Sequence, residues 1–153
     1  MATLQAGDTF PDFSLEDQNG NTHSKKDLAG KSFVVFCYPK DDTSGCTVEA
    51  CEFRDAHADF GEIPVFGVSP DPVKSHKKFE TKFELTYPLL ADVEKSLLEP
   101  LGVWVEKSMY GKKYMGVERT TFLVGPDGKI VQVWNKVTPA GHAVEVLKAA
   151  TSK

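Results

Sequence analysis

The chain has 153 residues with 41% hydrophobic and 10% aromatic content, enough for one domain spanning 1–153 with a sizeable core and too little for two. Eighteen Lys and Arg against 22 Asp and Glu leave a formal charge of -4, which argues against nucleic acid or an anionic membrane as partner and for a small substrate. The longest apolar run, residues 33–38, is far short of a membrane span, and the first residues lack the basic-then-apolar order of a signal peptide, so a soluble cytoplasmic protein is expected.

Along the chain, Phe13-Ser14-Leu15 alternates and then breaks at Asn19-Gly20, which predicts a small N-terminal β-hairpin. Residues 32–38, stopped by Pro39, and residues 63–68 are continuous apolar runs and read as strands buried on both faces of a central sheet. Between them, residues 46–60 carry Val48, Ala50, Cys51, Phe53, Ala56 and Phe60 at three- and four-residue steps, predicting an amphipathic helix and a βαβ unit. Asp71-Pro72 provides a cap and first-turn proline for a helix with Val73, Phe79 and Phe83, followed by a short strand at 87–90. Strands at 120–124 and 130–134 flank the turn Pro126-Asp127-Gly128, and Thr138-Pro139 starts a last helix through Val144, Leu147 and Ala150. The alternation predicts an α/β fold, a mixed sheet with helices on both faces. No repeat or linker divides it.

Three cysteines, Cys37, Cys46 and Cys51, are an odd number in a chain large enough to fold without disulfides, so chemistry is their expected use. Their spacing fits neither a zinc knuckle nor a two-residue redox dithiol. The segment from Pro39 to Cys46 runs from the end of a buried strand through a polar loop into a helix, the place where α/β folds build their sites. With Thr43 as N-cap, Cys46 falls in the first helical turn, where unpaired N–H groups and the positive end of the dipole favour a thiolate. Cys51 lies five residues on, and in an intact helix the two Cα atoms are about 8–9 Å apart. A disulfide needs less than about 7 Å, so any Cys46–Cys51 bridge requires the first turns to unwind.

Pro39, Thr43 and Cys46 match the peroxiredoxin signature of a proline, a threonine four residues on and a cysteine three beyond. The stretch from Gly45 to Asp55, and Gly7-Asp8-Thr9-Phe10-Pro11-Asp12-Phe13, make the chain similar to the bacterioferritin co-migratory protein or peroxiredoxin Q subfamily. The resemblance implies a thioredoxin-like fold with an N-terminal β-hairpin and central mixed sheet flanked by helices. It also implies reduction of hydrogen peroxide and organic hydroperoxides by Cys46, resolution by Cys51, recycling by thioredoxin or a similar dithiol, and no cofactor. Arg119 matches the family's distant arginine, whose guanidinium would hold the thiolate and the developing charge on the peroxide. Ser44 departs from the family, many members of which carry a second proline there.

Cys37 is outside the motif and is expected in the core. Glu49 reads equally as a residue near the site or as an exposed first-turn glutamate, and stays outside the site set of Cys46, Cys51, Thr43, Arg119 and Pro39. His23, His57, His76 and His142 share no motif and are expected at the surface. Trp104, Trp134, Tyr110 and Tyr114 are read as packing residues, with the lining of a substrate mouth as the alternative, and the lysines from Lys74 to Lys82 as a solvated helix face. With its own resolving cysteine, the chain is expected to be a monomer. A redox-sensing binding module switched by the same disulfide is the alternative, and reductant-linked multiple turnover separates the two.

Overall fold

The computed structural model describes residues 3–151. The N-terminal hairpin forms where the alternation places it, with β1 (Ser14–Glu16) antiparallel to β2 (Thr22–Ser24). Its loop closes on Asp17, whose carboxylate accepts the N–H groups of Asn19 and Asn21, and Gly20 takes a φ of 79° that a side chain would resist.

The remaining strands and α-helices are β3 (Phe33–Cys37), α1 (Ser44–Ala56), β4 (Val65–Ser69), α2 (Val73–Phe83), β5 (Leu89–Ala91), the hairpin β6 (Trp104–Met109) and β7 (Lys112–Val117), β8 (Thr120–Val124), β9 (Ile130–Trp134) and α3 (His142–Thr151), with short 3-10 helices at Lys25–Leu28 and His57–Phe60. The five-stranded sheet has the order β5-β4-β3-β8-β9. β3 runs parallel to β4, and β4 to β5, while β8 and β9 join antiparallel on the other side. The all-apolar sequence of β3 follows from this central position, where both faces and both edges are covered.

The period of two along β3 sorts the core. Phe33, Val35 and Cys37 join Phe10, Leu97, Leu101 and Phe122 on one face. Val34, Phe36 and Tyr38 join Phe53 of α1, Phe79 of α2 and Val146 of α3 on the other. The three α-helices therefore gather on one face, against the expectation of helices on both, and among the described residues only a short 3-10 helix, Lys25–Leu28, reaches the other through Leu28. The opposite face is covered by the N-terminal segment and by residues 92–102, a run of turns held by the Asp92 carboxylate, which accepts the N–H groups of Leu97 and Leu98. A sheet face needs apolar cover, and capped turns provide it without a regular helix.

Candidate active site

After β3 the chain passes Tyr38 and half-buried Pro39, crosses a short polar loop and enters α1. Thr43 takes the N-cap position with extended backbone, and its carbonyl accepts the Thr47 N–H at 2.8 Å. Its side chain does not cap the helix as expected. The hydroxyl turns back and donates to the Lys40 carbonyl at 2.9 Å, closing the loop and leaving the first helical N–H groups without a side-chain partner from Thr43. Cys46 is the third residue of α1, inside that first turn and 1% exposed.

Arg119, between β7 and β8, comes 73 residues later in sequence and reaches the same place. Its Nη2 donates to Cys46 Sγ at 3.3 Å, and its Nη1 donates to Glu49 Oε1 at 2.8 Å. The Arg119 carbonyl accepts the Val137 N–H at 3.0 Å, which fixes the backbone from which the side chain extends. Gly45 leaves room for this approach, since a Cβ there would stand 3.1 Å from Nη2.

Of the two readings of Glu49, the structure takes the one near the site, and the residue is fully buried. Burial pushes its carboxyl up to about 7, with the neighbouring Arg119 pulling the other way. Its Oε2 has no hydrogen-bond partner, so the ionised form is only half satisfied. The signal was present in the spacing: Glu49 is three residues after Cys46, on the same side of the helix. Burial also opposes the charge on Arg119, but Glu49 and Cys46 outweigh it and hold the guanidinium more firmly protonated.

Cys51 lies half-buried in the same unbroken helix, and all three cysteines are free thiols. The turns that would have to open for a Cys46–Cys51 bond expose Ser44 and Val48 but bury Cys46 and Glu49, both bonded to Arg119. The following turns are anchored. The Tyr87 hydroxyl donates to the Ala50 carbonyl at 2.7 Å, Phe53 stacks on Phe36 with centroids 4.4 Å apart, and Arg54 donates to the Phe83 carbonyl at 2.6 Å.

Residues 6–133 match the AhpC/TSA family, and the chain is 43% identical over 148 residues to Peroxiredoxin Bcp of Bacillus subtilis, a match covering 95% of this chain and 94% of that one. The chain belongs to the peroxiredoxins. It is similar in structure to the bacterioferritin comigratory protein of Xanthomonas campestris, with a TM-score of 0.88, 38% identity and coverage of 98% of this chain and 96% of that one. A cysteine-to-serine mutant of PrxQ from Xylella fastidiosa matches with a TM-score of 0.91 at 36% identity, over 97% of this chain and 96% of the other. The fold is thus thioredoxin-like, and as a peroxiredoxin the chain is a thiol peroxidase.

Other features of this peroxiredoxin differ from the reading of its sequence. His76 and His142 are buried, not at the surface; His76 faces inward because it shares a helical stripe with Val73 and Phe79. Asp71 does not cap α2, which starts at Val73 with Pro72 in the cap position; its carboxylate accepts the Asp41 N–H and the Ser69 hydroxyl instead. Tyr110 is 97% exposed at the tip of the β6–β7 hairpin, and Tyr114 is exposed beside it, so neither is a packing residue. Cys37 is in the core as expected, and burial pushes its thiol well above the usual range, aided by Glu49 and Asp92. A cleft of about 600 Å³ lies beside the site, lined by Trp134, Lys136, Val137, Gly141 and His142 among others. No helix among the described residues is long and apolar enough to cross a membrane.

Proposed function

We propose that Cys46 is the peroxidatic nucleophile of this thiol peroxidase, that Arg119 is its activating cation and that Cys51 resolves the oxidised thiol. The observation that carries this reading is the 3.3 Å contact from the Arg119 guanidinium to a sulfur in the first turn of α1. The Cys46 thiolate attacks one oxygen of the O–O bond, the S–O bond forms as O–O breaks, and the departing oxygen takes a proton to leave as water or an alcohol. Arg119 is placed to meet the charge that moves from sulfur to the leaving oxygen. Pro39 and Thr43 shape the loop in front of the sulfur.

The sulfenic acid on Cys46 then condenses with the Cys51 thiol after the first turns of α1 unwind, forming the disulfide and releasing water. Opening stops at the anchored stretch from Ala50 to Arg54. Two thiols of thioredoxin or a similar dithiol protein reduce the disulfide, and the helix rewinds. Both cysteines lie on one chain, so the cycle runs in a monomer without a cofactor. The Xanthomonas campestris relative is described by its alkyl peroxide reduction activity, which supports organic hydroperoxides as substrates beside hydrogen peroxide.

The test is NADPH oxidation driven by peroxide in the presence of thioredoxin and thioredoxin reductase. Wild type turns over repeatedly, Cys46→Ser is inactive, and Cys51→Ser consumes one peroxide per chain without cycling. Sustained thioredoxin-driven turnover by Cys51→Ser would remove Cys51 as the resolving thiol.

A further inference from the structure

A closed set of buried polar groups takes no part in the steps above, yet it stands in the loop that carries the nucleophile. Its centre is Asp41, 7% exposed and five residues before Cys46. Asp41 Oδ1 accepts the Tyr38 hydroxyl at 2.6 Å, and Oδ2 accepts the Ser75 hydroxyl at 2.8 Å and lies 2.7 Å from His76 Nδ1. The Nε2 of His76, fully buried in α2, donates to the Leu90 carbonyl of β5 at 2.9 Å. The Asp41 N–H donates to Asp71 at 2.8 Å. The next residue, Asp42, has a φ of 58°, in the left-handed region, and pairs with Lys82 of α2 at 2.9 Å. The loop between β3 and α1 is thus tied to α2, to β5 and to the turn after β4 through side chains on both neighbouring residues.

A connection between a strand and a helix does not need a buried carboxylate, and desolvating one is unfavourable unless its partners are well placed. Here every partner comes from an element outside the loop and α1 except Tyr38, which adjoins β3. We infer that His76 is a positioning residue for the nucleophile: through its bond to Asp41 it holds the backbone that sets Cys46 against Arg119. The inference rests on Cys46 being the nucleophile. It also gives the opening of α1 a fixed near end at Asp41, matching the fixed far end at Phe53, so the unwound segment returns to one geometry after each cycle.

Two substitutions separate positioning from general support of the fold. In His76→Asn the amide nitrogen stands where Nδ1 stood and keeps the bond to Asp41. In His76→Gln it stands where Nε2 stood and keeps the bond to Leu90. Each loses one buried hydrogen bond. The rate of Cys46 oxidation by peroxide in a single turnover and the rate of Cys46 alkylation by iodoacetamide, located by peptide mapping, are measured for both. His76→Gln slows both reactions by about 10- to 100-fold, the effect of a displacement near 1 Å, while His76→Asn stays close to wild type. Equal rates in the two variants, or losses that follow their thermal midpoints, overturn the inference. Asp41→Asn weakens the same link from its other end, is expected to slow both reactions as His76→Gln does, and stands in if that variant does not fold; wild-type rates in it count against the inference. Alkylation needs only the thiol, so it decides the positioning role independently of the peroxide assay, whose failure in wild type counts against the nucleophile reading alone.

Discussion

Replacing Glu49 by glutamine removes a buried charge beside Arg119 while keeping the side chain's shape and an oxygen that accepts the Nη1 hydrogen bond. In the folded protein Glu49 titrates at about 7, against an ordinary 4.5, because burial disfavours the ionised form and Oε2 has no partner to compensate. A carboxyl raised in this way binds its proton more tightly folded than unfolded. Stability from this group is fully present below pH 4.5 and declines as pH rises, the decline being complete above pH 7. At 1.36 kcal/mol per pH unit, the span from 4.5 to about 7 amounts to about 3 kcal/mol. The Glu49→Gln variant lacks this dependence. Urea unfolding of the reduced proteins, followed by tryptophan fluorescence in steps from pH 4.5 to 8.5, therefore shows the wild type losing ground against the variant. With a denaturant slope of about 1–3 kcal/mol per molar urea, the midpoint difference changes by on the order of 1 M. Curves that stay parallel across that pH range refute the burial argument for Glu49.

Gly45→Ala places a Cβ 3.1 Å from Arg119 Nη2 and presses the guanidinium to shift by a few tenths of an ångström beside the Cys46 sulfur. Peroxide oxidation of Cys46, read by stopped-flow fluorescence, slows several-fold while the helix gains up to about 1 kcal/mol from the added methyl group; an unchanged rate rejects the contact as the source of activation. Phe53→Ala empties a buried position stacked on Phe36 and destabilises the protein by about 3–5 kcal/mol in chemical denaturation. A loss below about 1 kcal/mol would mean that this part of α1 is not the anchor described. Cys37→Ala keeps peroxide turnover within a few-fold of wild type, because its side chain lies on the face of β3 away from the helices; loss of Cys46 oxidation in that variant contradicts the placement.

Where one element carries its own evidence, residue order was enough. The uninterrupted apolar runs of β3 and β4, the Pro126-Asp127-Gly128 turn between β8 and β9, and the three- and four-residue steps of α1 each reflect a local period, and each element lies within a few residues of its predicted bounds. The β6–β7 hairpin escaped because Glu106, Lys107, Lys112 and Lys113 break any apolar alternation; Tyr110-Gly111, both at positive φ, was the only local mark of its turn. The Cys46 position at a strand-to-helix junction was legible from spacing, and Arg119 entered through a family resemblance, since a lone arginine before a strand has no local signature.

By itself, then, the sequence determined the strands of the central sheet and the helices, which cysteine begins a helix, and how far Cys51 stands from it. Tertiary structure alone decided that Arg119 meets Cys46 across 73 residues, that Glu49 is buried against the same guanidinium, that the Thr43 hydroxyl closes a loop instead of capping a helix, and that His76 bonds Asp41. The physical reason is range. Periodicity and capping act over three or four residues and leave their trace in residue order, whereas burial and charge pairing depend on which elements the sheet order β5-β4-β3-β8-β9 brings side by side.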